Sequence, residues 1–351
     1  MKQSTKRSFY KKMSGMTNPL RVQIEVTRHC NLNCRHCMLG GDTKQKNEMA
    51  AGDYAALVKQ LENAGVFNVN LTGGEFLVHP EIIPILECIF SSDLWVSLQT
   101  NATLIDDEIM NIFKKHKTKI RSFAISLYGA TAETHEYITR VKGSFEKTID
   151  SIKQLDEEGF KVEIISLMMK SNYHEYEAIK TMCENWDLKH QFNSIIAPSR
   201  DRRRKITNLR LSDEELLALP RPWETFMNEF WETEPGDFYP DKSIESWCSM
   251  ARTTAYIDSC GYVLPCSVID IPAGNVRETP FEEIWKNSDL FKKIREFKIR
   301  DFECSRCENF PACKPCPGLA YLEHGDIFSA PREICRIVSL FIKKQEDKDE
   351  G

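Results

Sequence analysis

The stretch that decides the fold is Val22-Gln23-Ile24-Glu25-Val26-Thr27-Arg28-His29-Cys30-Asn31-Leu32-Asn33-Cys34-Arg35-His36-Cys37. Its first six residues are β-branched and polar in alternation, which predicts a strand over Val22–Thr27. A C-x3-C-x2-C run follows at once, so Cys30, Cys34 and Cys37 fall on the loop at the strand's C-terminal end. In parallel α/β sheets and barrels that edge binds ligands. Three thiolates on one short loop hold three corners of a four-iron cluster and leave the fourth iron open for chemistry, whereas a closed site serves structure or electron transfer. A structural zinc site, with His29 or His36 as a further ligand, is the alternative the loop itself leaves open.

Working outward, further strands are predicted at Phe67–Thr72, Leu94–Gln99, Ile120–Leu127, Val162–Met168 and Gln191–Ile196. They alternate with amphipathic helices at Asp53–Ala64, Pro80–Phe90, Asp106–His116, Ser144–Glu158 and Glu175–Trp186. Strand–helix alternation implies a parallel sheet, and right-handed crossovers curl it. The expected fold is α/β: a partial (β/α)6 TIM-type barrel, then a small C-terminal cysteine-rich α+β cluster-binding domain. The divisions are a flexible N-terminal arm at 1–20, the barrel at 21–199, a helical linker region at 200–247, the cysteine-rich domain at 248–340 and a charged tail at 341–351. Within the linker, Ser212–Leu219 opens with a capping box to Glu215, Trp223–Trp231 reads as a second helix, and 232–242 reads as a loop. In the last domain a hairpin is expected around Ser259-Cys260-Gly261, followed by helices at Phe281–Ser288 and Asp289–Phe297.

The chain has 351 residues, a formal net charge of −5, 41% hydrophobic and 28% charged residues. That balance speaks against a nucleic-acid or membrane-surface binder. No secretory signal is evident, and the apolar run Ile337–Ile342 is too short to span a bilayer. A cytoplasmic location is expected, where cysteines read as metal ligands rather than a disulfide framework. There are thirteen, and eleven lie in the first loop or between Cys248 and Cys335.

The strand with its C-x3-C-x2-C loop resembles the radical S-adenosylmethionine (SAM) superfamily, and Gly73-Gly74-Glu75 at the second strand's end resembles that family's GGE motif. The resemblance implies a SAM-binding four-iron cluster on Cys30, Cys34 and Cys37, with SAM contacts at His36, Gly73, Gly74, Glu75, Thr100, Asn101, Ser126 and Arg140. Glycines let backbone approach the methionine end of SAM, and the Glu75 carboxylate would partner its ammonium group. Ser126 and Arg140 would serve its carboxylate or ribose. Ser126-Leu127-Tyr128-Gly129 stands where members commonly carry SLDG.

The later cysteines resemble the SPASM extension of this family: Cys248, Gly261, four residues and Cys266, then Cys304-x2-Cys307-x5-Cys313-x2-Cys316, and Cys335. The last spacing departs from the usual x3. By analogy one auxiliary cluster takes Cys304, Cys307, Cys313 and Cys335, and another takes Cys248, Cys266 and Cys316 with Cys260 as its fourth ligand. That makes three four-iron clusters; two structural zinc sites are the alternative. Cys88 and Cys183 remain, both in helical patterns that predict buried apolar roles, with hydrogen-atom donation as the other use.

The resemblance implies a 5′-deoxyadenosyl radical made from SAM that abstracts hydrogen from a substrate carbon. The favoured substrate is a ribosomally made peptide (crosslink, thioether, oxidation or epimerisation). A small molecule such as a sugar or aminocyclitol is the runner-up, and a non-catalytic iron–sulfur or zinc-binding protein is the distant alternative. Expected partners are a low-potential electron donor such as flavodoxin or ferredoxin. Since about twenty residues precede strand one, a leader peptide, if there is one, is expected to be bound by a separate leader-recognition protein or by the core itself. Ser267 stands where sulfatase-maturing members carry an Asp base. The basic Arg200–Lys205 loop is positioned to steer an acidic peptide.

Overall fold

The computed structural model describes residues 17–40, 45–201, 205–219, 248–310, 313 and 315–349. Most of the expected N-terminal arm, the helix at Trp223–Trp231 and the loop at 232–242 lie outside them. Six parallel strands, β1 (Arg21–Thr27), β2 (Asn68–Gly73), β3 (Trp95–Thr100), β4 (Ile120–Ser126), β5 (Val162–Leu167) and β6 (Lys189–Asn193), lie in sequential order. Helices α1 (Ala51–Asn63), α2 (Ile82–Phe90), α3 (Asp107–Lys115), α4 (Ala132–Thr139), α5 (Ser144–Glu157) and α6 (Tyr176–Asn185) fill the crossovers.

The alternation in β1 explains the layering. Val22, Ile24 and Val26 are buried and join the core with Tyr54, Leu57 and Leu61 of α1. By the two-residue period, Gln23, Glu25 and Thr27 lie on the opposite face. Helix starts are encoded locally: Asp106 accepts from the Ile109 N–H at 2.9 Å at the head of α3, and Ser212 and Glu215 cap α7 (Asp213–Ala218) reciprocally.

The C-terminal region extends the same sheet. β7 (Thr254–Ile257) pairs in parallel with β1, and β8 (Tyr262–Leu264) and β9 (Gly274–Asn275) follow antiparallel. The nine-stranded sheet stays open, with β6 and β9 at its ends. Helices α8 (Phe281–Asn287), α9 (Asp289–Glu296), α10 (Pro317–His324) and α11 (Arg332–Asp349) complete the domain. The charged tail expected from residue 341 is instead the second half of α11, and Phe341 is buried. Arg336 on α11 binds Asp213 and the Leu211 carbonyl, which ties α7 to it. Among the described residues no helix is long and apolar enough to cross a membrane.

Candidate active site and cysteine clusters

The first cysteine loop is held from two sides. Its Asn33 and Arg35 N–H groups donate to the Thr139 and Ile138 carbonyls at 3.1 and 2.9 Å, using acceptors that the last turn of α4 leaves without helical partners. Arg35 also donates to the Tyr137 carbonyl at 2.7 Å and lies over the Tyr137 ring. At the loop's root, the Gly74 and Glu75 N–H groups donate to the Thr27 and His29 carbonyls, both at 2.9 Å. This contact explains the glycine pair. A Cβ on Gly73, whose φ is +149°, would lie 2.2 Å from the Thr27 oxygen; one on Gly74 would lie 2.3 Å from the His29 oxygen. No side chain fits either place.

Glu75, expected as a SAM contact, faces inward. It is buried, and both carboxylate oxygens are engaged inward: Oε1 accepts from Leu77 N–H and the Thr100 hydroxyl, Oε2 from Thr100 and, at 2.7 Å, from Asn101 N–H. Burial pushes its pKa up to about 7 against those donors. Glu75 therefore braces the ends of β2 and β3 through both carboxylate oxygens. Thr100 spends its hydroxyl on the same brace. Asn101 reaches the loop: its Nδ2 donates to Asn31 Oδ1 at 2.9 Å and lies 3.9 Å from Cys30 Sγ.

Tyr128 is the residue the motif reading passed over. Burial first, then the adjacent Cys34, Cys37 and Cys30, push its phenol upward, while a hydrogen bond with Ser126 pulls the other way. All three thiols thus lie near this phenol, and His36 packs edge-on to its ring with centroids 4.6 Å apart. Arg140, expected as a SAM contact, is the exposed, left-handed cap of α4, with φ 61°.

Below the loop lies a buried charge network that the sequence reading missed. Glu25 is fully buried and accepts from Tyr256 Oη at 2.6 Å, Arg200 at 3.1 Å, Arg28 Nε at 3.1 Å and Ser259 Oγ at 3.2 Å. Burial alone would raise its pKa; Arg28, the Tyr256 hydroxyl and Arg200 outweigh this and hold it below the usual carboxylate range. Arg200, expected to steer substrate from a solvated loop, is a structural cation inside the sheet. Residues 202–204 of that loop lie outside the described residues.

The later cysteines form two groups. Burial pushes Cys248 up to about 12, with Cys266 and Cys316 adding to it. Cys266 rises to about 11 by burial, with Cys316 beside it. A Cβ on Gly318 would sit 3.3 Å from Cys266 Sγ and 3.7 Å from Cys316 Sγ, so that glycine leaves room between α10 and these thiols. Burial likewise raises Cys313 to about 12, with Cys335, Cys304 and Cys307 as its charged neighbours. Cys260, expected with the first group, sits in the turn between β7 and β8, its N–H donating to Asp258 Oδ1 at 3.0 Å and its carbonyl accepting from Asn275 Nδ2 at 3.1 Å, with Asp258, Arg28 and Glu48 as the charges near its thiol. Cys183 is buried in α6, and Cys88 packs against the main core.

These donor sets fit iron–sulfur clusters. Buried neutral thiols become ligands when a cationic centre compensates the thiolate charge, and each group contains cysteine sulfur alone.

Comparisons with known proteins agree with this geometry. The model of the radical SAM superfamily matches residues 24–183, and that of the SPASM iron–sulfur cluster-binding domain matches residues 248–317. An AdoMet-dependent heme synthase of Methanosarcina barkeri is 26% identical over 347 residues, covering 90% of this chain and 96% of its own. Mycofactocin maturase MftC of Mycobacterium tuberculosis is 25% identical over 317 residues, covering 86% of this chain and 78% of its own. Streptococcus suis SuiB, crystallised with its precursor peptide SuiA, superposes with a TM-score of 0.70 at 19% identity, covering 95% of this chain and 79% of its own.

Proposed function

The chain belongs to the radical SAM superfamily and carries a SPASM iron–sulfur domain, and we propose that it modifies a ribosomally made peptide by hydrogen abstraction, using SAM and three four-iron clusters. The observation that carries the reading is the loop of Cys30, Cys34 and Cys37 at the C-terminal end of β1, anchored to the last turn of α4 and to Gly74 and Glu75. Three ligands leave one iron open to SAM. The peptide substrate draws support from the maturase relative and from SuiB, whose fold this chain shares.

When bound, the reduced cluster and SAM supply a 5′-deoxyadenosyl radical that takes hydrogen from an unactivated carbon. The protein's residues do the rest. Cys30, Cys34 and Cys37 hold the cluster, with Asn101 beside Cys30. Glu75 and Gly74 fix the loop's root, so the ligand geometry is set before anything binds. Tyr128 and His36 wall the loop's inner side and exclude water from it. Glu25 clamps β7 to β1 through Tyr256 and so fixes the auxiliary groups relative to the site. Cys304, Cys307, Cys313 and Cys335 make a four-thiolate site suited to moving electrons. A low-potential donor such as flavodoxin or ferredoxin supplies the reducing electron.

Anaerobic reconstitution tests the reading. About twelve irons per chain and 5′-deoxyadenosine from SAM under reductant are expected; tightly held zinc without SAM cleavage refutes it. Co-expression with a precursor peptide is expected to remove a hydrogen pair from its mass for a crosslink, or to leave the mass unchanged for an epimer. A small-molecule substrate is the second reading, favoured by the relative named a heme synthase. A haem precursor is the compound to assay beside the peptide.

A further inference from the structure

With Cys260 elsewhere, Cys248, Cys266 and Cys316 present three thiols where a four-iron cluster takes four ligands. One nearby side chain has an unused donor atom. Glu323 on α10 has a side chain only 6% exposed; its Oε1 accepts from Arg210 at 2.9 Å, while its buried Oε2 has no hydrogen-bond partner among the described residues. An unsatisfied buried carboxylate oxygen costs stability unless something binds it.

Its placement points to the cysteine group. Cys316 caps the N-terminus of α10, and Glu323 follows two turns later, on the same helix face to within about 20°. Helical side chains lean toward the N-terminus, so the carboxylate leans back toward the Cys316 end of that face. Its charge also falls on Cys316 and on Cys335. Cys335 already has three thiol companions, so the vacancy is on the Cys316 side. The neighbouring buried carboxylate, Glu333, spends both oxygens on Arg210 and Arg336 and has nothing to offer. Arg210 thus turns one oxygen of Glu323 aside and fixes the other.

We propose that Glu323 supplies a fourth, oxygen ligand to the auxiliary cluster held by Cys248, Cys266 and Cys316. The assignment rests on the iron–sulfur reading above and closes that cluster without Cys260. Carboxylate ligation in place of a thiolate changes the donor softness at one iron, one of the means by which a protein sets a cluster's potential.

The test uses the full chain carrying Cys30→Ala, Cys34→Ala and Cys37→Ala, so that only the auxiliary sites contribute iron. This parent is expected to hold about eight irons, with an electron paramagnetic resonance spectrum that added cyanide or a small thiol leaves unchanged. Adding Glu323→Ala opens one iron: the spectrum then shifts with either reagent, and mild oxidation yields a three-iron signal with loss of about one iron. Glu323→Cys restores the insensitivity and moves the midpoint potential, a result available even if the alanine variant does not fold. Arg210→Gln breaks the ion pair, keeps the ligand and leaves the spectrum insensitive. A parent already sensitive to cyanide, or a Glu323→Cys variant with unchanged spectrum and potential, overturns the assignment alone. A parent that holds no iron overturns the iron–sulfur reading and the assignment with it.

Discussion

Replacing Glu25 with Gln keeps the shape of the side chain and removes its charge. In the native chain Glu25 is fully buried and faces two guanidinium groups, of Arg28 and Arg200, whose side chains are 24% and 10% exposed. The substitution strands both cations and leaves Tyr256 Oη, now 2.6 Å from a carboxylate oxygen, with a weaker acceptor. Breaking a buried pair by removing one partner costs about 3–5 kcal/mol. An unfolding entropy of roughly 2.1 cal/mol/K per residue over 351 residues gives about 0.7 kcal/mol/K, so Tm is expected to fall by about 4–7 °C. Differential scanning calorimetry of the reconstituted protein under anaerobic conditions reads this directly. The pH dependence has a definite sign. Arg28 leads the groups that hold the folded Glu25 carboxyl below its ordinary value of 4.5, so its contribution is complete above that value and fades as pH falls through the folded pKa. The gap between wild type and Glu25→Gln is therefore constant from neutral pH to about 5 and closes only in stronger acid. Adding Arg200→Gln to Glu25→Gln relieves one stranded charge, so the double variant is more stable than the sum of the single losses by about 1 kcal/mol or more. A Tm for Glu25→Gln within about 1 °C of wild type, together with additivity in the double variant, would refute the argument that this network joins β7 to β1.

Three further outcomes are expected. Gly74→Ala puts a Cβ 2.3 Å from the His29 carbonyl oxygen, so it displaces the loop root; the purified protein is expected to lose about four irons by colorimetric count while keeping its auxiliary clusters. Cys260→Ser is expected to retain wild-type iron content and cluster spectra, whereas Cys316→Ala loses one auxiliary cluster; equal losses in the two would return Cys260 to the ligand set. Tyr128→Leu removes the ring that His36 packs against beside the three thiols, and bleaching of the reduced cluster in air, followed by absorbance, is expected to quicken several-fold through admitted solvent.

The strands were legible because each is short and bounded by its own turn and most carry β-branched residues, and all six of the parallel core fall where periodicity puts them, within a few residues. What escaped is non-local. Nothing inside Thr254–Ile257 says that it pairs in parallel with β1, some 230 residues away. Glu25 fails to stand out for the same reason. A charged residue at an alternating strand position reads as solvent-facing, and only the addition of β7 and the return of Arg200 make that face an interior. Arg200 sits in a basic run, the ordinary mark of a solvated surface, and the fold takes one member of that run inside. α4 went unpredicted although Thr131 caps it and accepts from Thr134 N–H, because its apolar spacing is weak.

The cysteines draw the same line more finely. Spacing identifies which thiols share a loop, since metal-ligand spacing is a property of local backbone reach; it does not identify which loops share a cluster. Cys313 and Cys316 stand three positions apart, yet Cys313 faces Cys335, Cys304 and Cys307 while Cys316 stands with Cys248 and Cys266. The reason is structural: α10 begins at Cys316, whose Sγ accepts the Leu319 N–H at 3.4 Å, and the helix start aims that thiol away from its sequence neighbour. The same helix brings Glu323 round to the face it shares with Cys316. An interval of seven residues between a cysteine and a glutamate carries no signal as spacing. It acquires one when the intervening residues are helical and the carboxylate is buried with an oxygen to spare, which is why the ligand set of that auxiliary site follows from the helix and not from the motif.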